Sequence, residues 1–180
     1  MNYINKIGDR LFMRKAILFI SLSFILFVTA CQSAESKEVM EYHNGFVEEI
    51  VSGVEVITEG YNEMDAAETD EEAIEIGHTK MLPKLEKMRE HMDAQNPEKD
   101  DTKEYHKIRS EWFDLYEEIV TAEVQSLDDY VNERITDEEL DEIFEEVYEK
   151  SVEAEELATE GEDKVAELAE KYDFEVLDKE

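Results

Sequence analysis

Five side chains on one predicted helix are of types that bind soft metal ions. They are His78, Met81, Met88, His91 and Met92. Thioether and imidazole groups suit copper(I), and a methionine–histidine pair across a helical bundle can hold haem. Methionine at helical spacing is also an ordinary filler of hydrophobic cores. The pattern therefore leaves two interpretations open, a metal or haem site and a plain apolar face.

The same helix contains Glu75-Ile-Gly-His78. A Glu-x-x-His on a bundle helix resembles half of the ferritin-like di-iron signature, in which carboxylate and imidazole project inward from one turn. That family needs a second Glu-x-x-His, and none of His43, His91 and His106 has a glutamate three residues before it. We therefore do not expect a di-iron centre, and we interpret His78 as a residue at the boundary of the apolar stripe.

Residues for other kinds of chemistry are hard to find. The sequence lacks the motifs G-x-S-x-G and H-E-x-x-H, the P-loop and the EF-hand loop. Carboxylates three or four residues apart are frequent, but random spacing supplies them in a chain with 50 acidic residues. We interpret them as solvated helix faces. The sequence predicts no catalytic site, so we expect a protein that is not an enzyme.

The composition excludes further classes of function. The chain has 180 residues, with 50 Asp or Glu against 18 Lys or Arg and a formal net charge of −32. Nucleic-acid binding is excluded because it requires clustered cationic side chains. The single cysteine excludes an internal disulfide and a thiolate-based zinc site. We expect weak, diffuse association with divalent cations rather than a specific cage.

The N-terminus has the layout of an export signal. Residues 16–30 contain no charged side chain, and four basic residues precede them: Lys6, Arg10, Arg14 and Lys15. As a helix, this segment would span about 22 Å, which is less than the ~30 Å hydrocarbon core of a bilayer. A basic flank, a short apolar run and small residues at its end favour a cleaved signal peptide. A plain transmembrane anchor with an incidental cysteine remains the alternative.

The segment ends in Val28-Thr29-Ala30-Cys31, which resembles the lipobox of bacterial lipoproteins. The resemblance implies cleavage between Ala30 and Cys31 and a covalent diacylglycerol on the Cys31 thiol, with no other cofactor. Two or three acyl chains would give stable attachment to the outer face of the cell membrane. The acidic, cysteine-poor composition is similar to that of small all-helical lipoproteins of Gram-positive bacteria.

Four stretches after the signal segment have apolar residues in steps of three and four, and none shows sustained alternation. They run from about Glu38 to Ala66, Asp70 to Ala94, Thr102 to Arg134 and Asp137 to Tyr172. This spacing predicts amphipathic helices and an all-α fold. Because the links are short, we expect an elongated antiparallel bundle of about four helices, up-down-up-down. The predicted divisions are a signal peptide at 1–30, the lipidated cysteine and a tether at 31–37, the bundle at 38–172 and a tail at 173–180.

Local signals mark helix starts and one disturbance. Thr69-Asp-Glu-Glu72 and Thr136-Asp-Glu-Glu139 have the spacing of the capping box. Pro83 removes a backbone donor inside the second helix, which predicts a kink or split near Thr79.

Small residues occupy seam positions of the first and fourth helices: Gly53, Gly60, Ser151, Ala154, Ala158 and Gly161. We expect close packing between these two helices, with an exposed groove for a partner helix as the alternative.

The sequence thus favours a non-enzymatic lipoprotein outside the cytoplasmic membrane, which presents an interaction or structural module to another envelope protein or a cell-wall component. The alternative is a cation- or metal-binding lipoprotein that uses its acidic surface or the second helix.

Overall fold

The computed structural model describes residues 33–174, and these contain four helices and no strand. α1 (34–66) comprises Ala34–Phe46, a π-helical turn at Val47–Val51, and Ser52–Ala66. α2 (70–94) comprises Asp70–Ile76, a π-helical turn at Gly77–Met81, and Leu82–Ala94. α3 is Asp100–Val131 and α4 is Asp137–Tyr172. The prediction of an all-α fold is confirmed. Within the described residues, none of the helices combines the length and hydropathy that a membrane span requires.

Hydroxyl side chains cap α2 and α4 at the predicted residues. The Oγ1 atom of Thr136 accepts the N–H of Glu139 at 3.2 Å, and the Glu139 carboxylate accepts the N–H of Thr136 at 2.8 Å. These two bonds complete a capping box. The pKa of Glu139 lies below its usual value because its carboxylate accepts both the N–H and the hydroxyl of Thr136. At α2 the Oγ1 atom of Thr69 likewise accepts the N–H of Glu72. The Glu72 carboxylate, however, accepts the N–H of Glu68 at 2.9 Å and not that of Thr69, so the capping box is incomplete.

Pro83 is accommodated by a π-helical turn. The proline stands at the start of Leu82–Ala94, directly after the turn at Gly77–Met81. Proline has no N–H and crowds the carbonyl four residues earlier, here that of Thr79. The wider π turn lies at this position, so α2 changes its pitch and continues. The predicted location of the disturbance, near Thr79, is confirmed. The helix continues through it and is not split.

Some boundaries differ from the prediction. α1 begins at Ala34, inside the segment predicted as a tether, because the Ser33 hydroxyl caps it by accepting the N–H of Ser36 at 3.1 Å. α3 ends at Val131, shortly before Glu133 takes a left-handed conformation with φ of 57°. At the other terminus, Asp173 is left-handed and ends α4.

Contacts between matched positions show the directions of the helices. The pairs are Gly53–Met88 and Gly60–Met81 between α1 and α2, Lys171–Asp101 and Lys150–Glu118 between α4 and α3, and Tyr42–His106 and Tyr61–Glu123 between α1 and α3. In the first two sets the numbers rise on one helix as they fall on the other, so these helices are antiparallel. In the third set both numbers rise, so α1 and α3 are parallel, as an up-down-up-down bundle requires.

The bundle can be divided along its length. We call residues 34–46, 91–109 and 161–174 the near end, because it contains the start of α1. Residues 47–90 and 110–160 are the far part. A large core cluster around Trp112, Phe113 and Tyr116 includes residues of all four helices. A smaller cluster belongs to the near end, where Val39 and Tyr42 of α1 join Leu168 of α4 and Phe174.

The small seam residues do not act as predicted. Gly53 and Gly60 face methionines of α2, and a Cβ at Gly60 would lie 2.6 Å from Cγ of Met81. Gly161 faces Arg109 of α3. The predicted close approach of α1 and α4 at these glycines is therefore wrong, because each glycine instead makes room for a large side chain of another helix. Ala154 and Ala158 are buried in the large core cluster, and Ser151 is half-buried.

Candidate functional site

The residues that resemble a lipobox lie outside the described part of the chain. Ala30 and Cys31 precede residue 33, the first residue that the structure describes. The start of the bundle is nevertheless close to them in sequence. Ser33 is the N-cap of α1 and Ala34 its first residue, so helix begins three positions after the cysteine.

The six candidate metal ligands fall into different environments. Glu75 and His78 are exposed, and Nε2 of His78 lies 3.8 Å from an oxygen of Asp128. In contrast, Met81, Met88 and Met92 are buried in the large core cluster. The carboxylate and imidazole therefore face solvent while the thioethers face the core.

The sixth candidate, His91, is half-buried and has partners of its own. Its Nε2 lies 3.1 Å from the side-chain amide nitrogen of Gln95. Its ring also lies beside Gly45 of α1, at 3.8 Å from the position a Cβ would take. Within residues 33–174, no three or more His, Cys, Asp or Glu side chains form a group that could hold a metal ion. The predicted candidates are thus not brought together around one centre.

A buried polar cluster at the near end was missed by the sequence analysis. Nδ1 of His43 lies 2.6 Å from the hydroxyl oxygen of Tyr105, and Nε of Arg109 donates to the same oxygen at 3.1 Å. All three side chains are almost fully enclosed, and Arg109 is only 3% exposed. We call these three residues the polar cluster.

Burial sets the protonation state of the two titratable groups. The hydroxyl oxygen of Tyr105 accepts from Nε of Arg109, and the same hydroxyl shares a hydrogen bond with Nδ1 of His43. Burial, together with the nearby Arg109 charge, lowers the pKa of His43 to about 3. Burial also raises the pKa of Tyr105. Neither group changes protonation near neutral pH, so the cluster is suited to holding helices in place rather than to proton transfer.

Arg109 is held by aromatic rings and by a glycine. Its guanidinium lies over the ring of Phe46 at 5.0 Å and over that of Tyr105 at 5.1 Å. Such stacking stabilises a cation without a carboxylate. The backbone of α4 passes so close at Gly161 that a Cβ there would lie 2.6 Å from Cζ of Arg109. Arg109 thereby links α1, α3 and α4.

A second polar contact joins the parallel helices α1 and α3 in the far part. The hydroxyl of Tyr61 donates to the carboxylate of Glu123, which is itself buried. Burial and the adjacent Glu123 charge raise the pKa of Tyr116. Tyr116 stacks on Trp112 with ring centroids 5.3 Å apart. The hydrogen bond between Tyr61 and Glu123 thus fixes α1 relative to α3 in the far part.

Charge is distributed unequally along the bundle. The near end carries 13 acidic and 7 basic side chains, whereas the far part carries 33 acidic and 6 basic ones. At the near end, lysines of α4 reach across to acids of α3. Lys171 pairs with Asp101 at 2.5 Å, and Lys164 pairs with Glu104 at 2.7 Å. The acidic surface predicted from composition is therefore concentrated away from the start of α1.

Comparisons with protein-family models, with curated proteins and with solved structures give no match.

Proposed function

We propose that this chain is a lipoprotein anchored to the outer face of the cell membrane, whose helical bundle is a non-enzymatic interaction module of the cell envelope. The observation that carries the proposal is the sequence Val28-Thr29-Ala30-Cys31 at the end of an uncharged segment with a basic flank. It contains the chain's single cysteine, in the position at which a lipoprotein is acylated.

The start of α1 supports such an anchor. Ala34 lies three positions after Cys31, and even a fully extended link of this length reaches only about 10 Å. The near end of the bundle would therefore lie against the membrane surface. Anionic headgroups repel carboxylates over roughly a Debye length of 8 Å. The near end has the smaller excess of acidic residues, so this orientation directs most of the negative charge away from the lipid.

The polar cluster does not itself offer a general acid or base for catalysis. The most enclosed polar groups of the near end, His43 and Tyr105, have pKa values shifted away from neutrality. A general acid or base works best with a pKa near the ambient pH. A bundle with a fixed interior and a highly charged surface is instead suited to binding an envelope protein or a cell-wall component.

Mass spectrometry of the N-terminus tests this proposal. The full chain is produced in a bacterium that processes lipoproteins, and the membrane and soluble fractions are digested. We expect a membrane-derived peptide that begins at Cys31 and carries the mass of a diacylglycerol. The Cys31→Ser variant should keep residues 1–30 and lack the lipid. An unmodified wild-type peptide that runs through Ala30 and Cys31 in the soluble fraction would refute the anchor.

A further inference from the structure

Two exposed apolar side chains stand out on the surface of α4. Among the described residues, Tyr148 and Val152 are the large hydrophobic side chains that remain exposed, at 55% and 41%. They are four residues apart on one helix, so they are neighbours on the same face. Isolated surface hydrophobics need no explanation, but here the two most exposed large hydrophobic side chains of the described residues are neighbours.

Carboxylates surround this pair. Glu145 lies three residues before Tyr148 and Glu149 three before Val152, while Glu155 and Glu156 follow Val152 by three and four. All four are exposed, and no ion pair joins any of them to another described residue. We call these four glutamates, with Tyr148 and Val152, the α4 patch.

The nearest cation on α4 is already engaged elsewhere. Nζ of Lys150 lies 2.7 Å from the Glu118 carboxylate of α3. Lys150 therefore belongs to the side of α4 that packs on α3, as do the buried residues Val147 and Ala154. The small cluster that joins α4 to α1 lies at the near end, away from the α4 patch. Tyr148 and Val152 thus lie on a flank of α4 that no described helix covers.

The charge of the patch indicates its occupant. Glu145 and Glu149 are four residues apart, and like charges at this spacing destabilise a helix. A second copy of this chain would bring the same negative charge, as would an anionic lipid surface. A cationic segment with its own apolar stripe would cover the exposed rings and methyl groups and would neutralise the carboxylates.

We infer that the α4 patch docks a basic amphipathic helix of another protein. The apolar stripe of that helix contacts Tyr148 and Val152, and its Lys or Arg side chains pair with the four glutamates. The patch extends over residues 145–156, about 17 Å of helix, so it accommodates about three turns of a partner. Because charge supplies much of the attraction, binding weakens as salt rises. This inference rests on the proposed function as an interaction module and names its partner class.

Site-specific photo-crosslinking in intact cells tests the inference. A benzoylphenylalanine replaces Tyr148 in the full chain, and in a matched control it replaces Glu146, which is exposed on the other flank of α4. We expect crosslinks from position 148, several-fold above the control, to a peptide rich in Lys or Arg with apolar residues three and four apart. The yield should fall several-fold in high salt. It should also fall in the double variant Glu145→Lys/Glu149→Lys, whose helical circular dichroism should match wild type.

Several outcomes would overturn the inference. They are a crosslink to a second copy of this chain, a crosslink to lipid, a crosslinked peptide that is acidic or lacks the apolar spacing, equal yields at 146 and 148, and no crosslink at all. The N-terminal mass spectrum is measured on the same samples. A lipidated Cys31 without a basic partner at 148 refutes only the docking site, whereas a basic partner on a chain without lipid refutes only the anchor.

Discussion

The near end and the far part of the bundle are held together differently. At the near end, three helices meet at Arg109, whose stacked guanidinium and hydrogen bond to Tyr105 depend on exact side-chain positions. Ion pairs between helices occur in both regions, but at the near end they leave a smaller acidic excess. The far part encloses the contact of Tyr61 with Glu123 within the large core cluster, and it carries 33 acidic against 6 basic residues. The comparison indicates that packing around one buried cation distinguishes the near end, while repulsion among carboxylates is concentrated in the far part.

The largest expected effect concerns acid sensitivity of the near end. In the folded protein burial holds the pKa of His43 at about 3, whereas in the unfolded chain a histidine protonates below about 6.5. Between these values protonation favours unfolding, so stability falls as pH falls, by at most ~1.4 kcal/mol per pH unit. Above pH ~6.5 the contribution is constant.

The variant His43→Gln should remove this contribution. Urea unfolding at pH 7 and pH 4 measures it, and we expect wild type to lose about 3 kcal/mol more than the variant over that range. His78→Gln, which changes an exposed histidine outside the polar cluster, is the control and should follow wild type. Parallel curves for wild type and His43→Gln would contradict the buried neutral state of His43.

The second effect concerns the contact between α4 and Arg109. Gly161→Ala places a methyl group against the guanidinium, which must then shift from its positions over the rings of Phe46 and Tyr105. We expect a loss of about 1–3 kcal/mol in the free energy of unfolding. Gly45→Ala is the matched control, since the nearest atom there is 3.8 Å away and alanine is the better helix former. It should gain about 0.5–1 kcal/mol. Equal effects of the two substitutions would show that Arg109 is not confined.

The third effect concerns the far part and its charge. Added salt or modest amounts of divalent cation should raise Tm, because both screen the repulsion among carboxylates. For a chain of this size, each kcal/mol gained corresponds to about 3 °C. Hydrogen exchange at low and high salt should locate the gain mainly in the far part. Unchanged Tm, or protection gained chiefly at the near end, would contradict the comparison.

The smallest effect concerns α4 alone. Glu149→Gln removes like-charge contacts with Glu145 and Glu153, four residues away on either side. We expect a stabilisation of about 0.3–0.5 kcal/mol in thermal unfolding at low salt, which disappears at high salt. As a control of opposite sign, Thr136→Ala removes the cap of the same helix and should cost about 1 kcal/mol at either salt concentration. A Glu149 effect that persists at high salt would not be electrostatic.

The sequence predicted those features that local chemistry determines. The starts of α2 and α4 match the prediction because each is set by a threonine cap, whose hydrogen bonds join residues only three positions apart. The disturbance near Thr79 was predicted from Pro83, which lies directly after the π-helical turn. The apolar stripe of Met81, Met88 and Met92 likewise proved to be core.

Features that depend on distant parts of the chain were not predicted. His43 and Tyr105 are 62 residues apart, and only the packing of α1 beside α3 brings them together. Periodicity showed that Gly53, Gly60 and Gly161 lie on seams, but it could not show which neighbouring side chain each one faces. One signal in the sequence was Arg109. It lies four residues after Tyr105 and three before Trp112, so a basic residue stands on the apolar stripe of the third helix.

The two π-helical turns have a consequence for the history of the chain. A π turn holds one residue more than an α turn, so it absorbs an insertion without moving the helix ends. In related sequences, a one-residue gap at 47–51 or 77–81 should therefore leave the flanking caps aligned. Gaps of that kind would mean that each π turn holds a residue that the helix can gain or lose without shifting its ends.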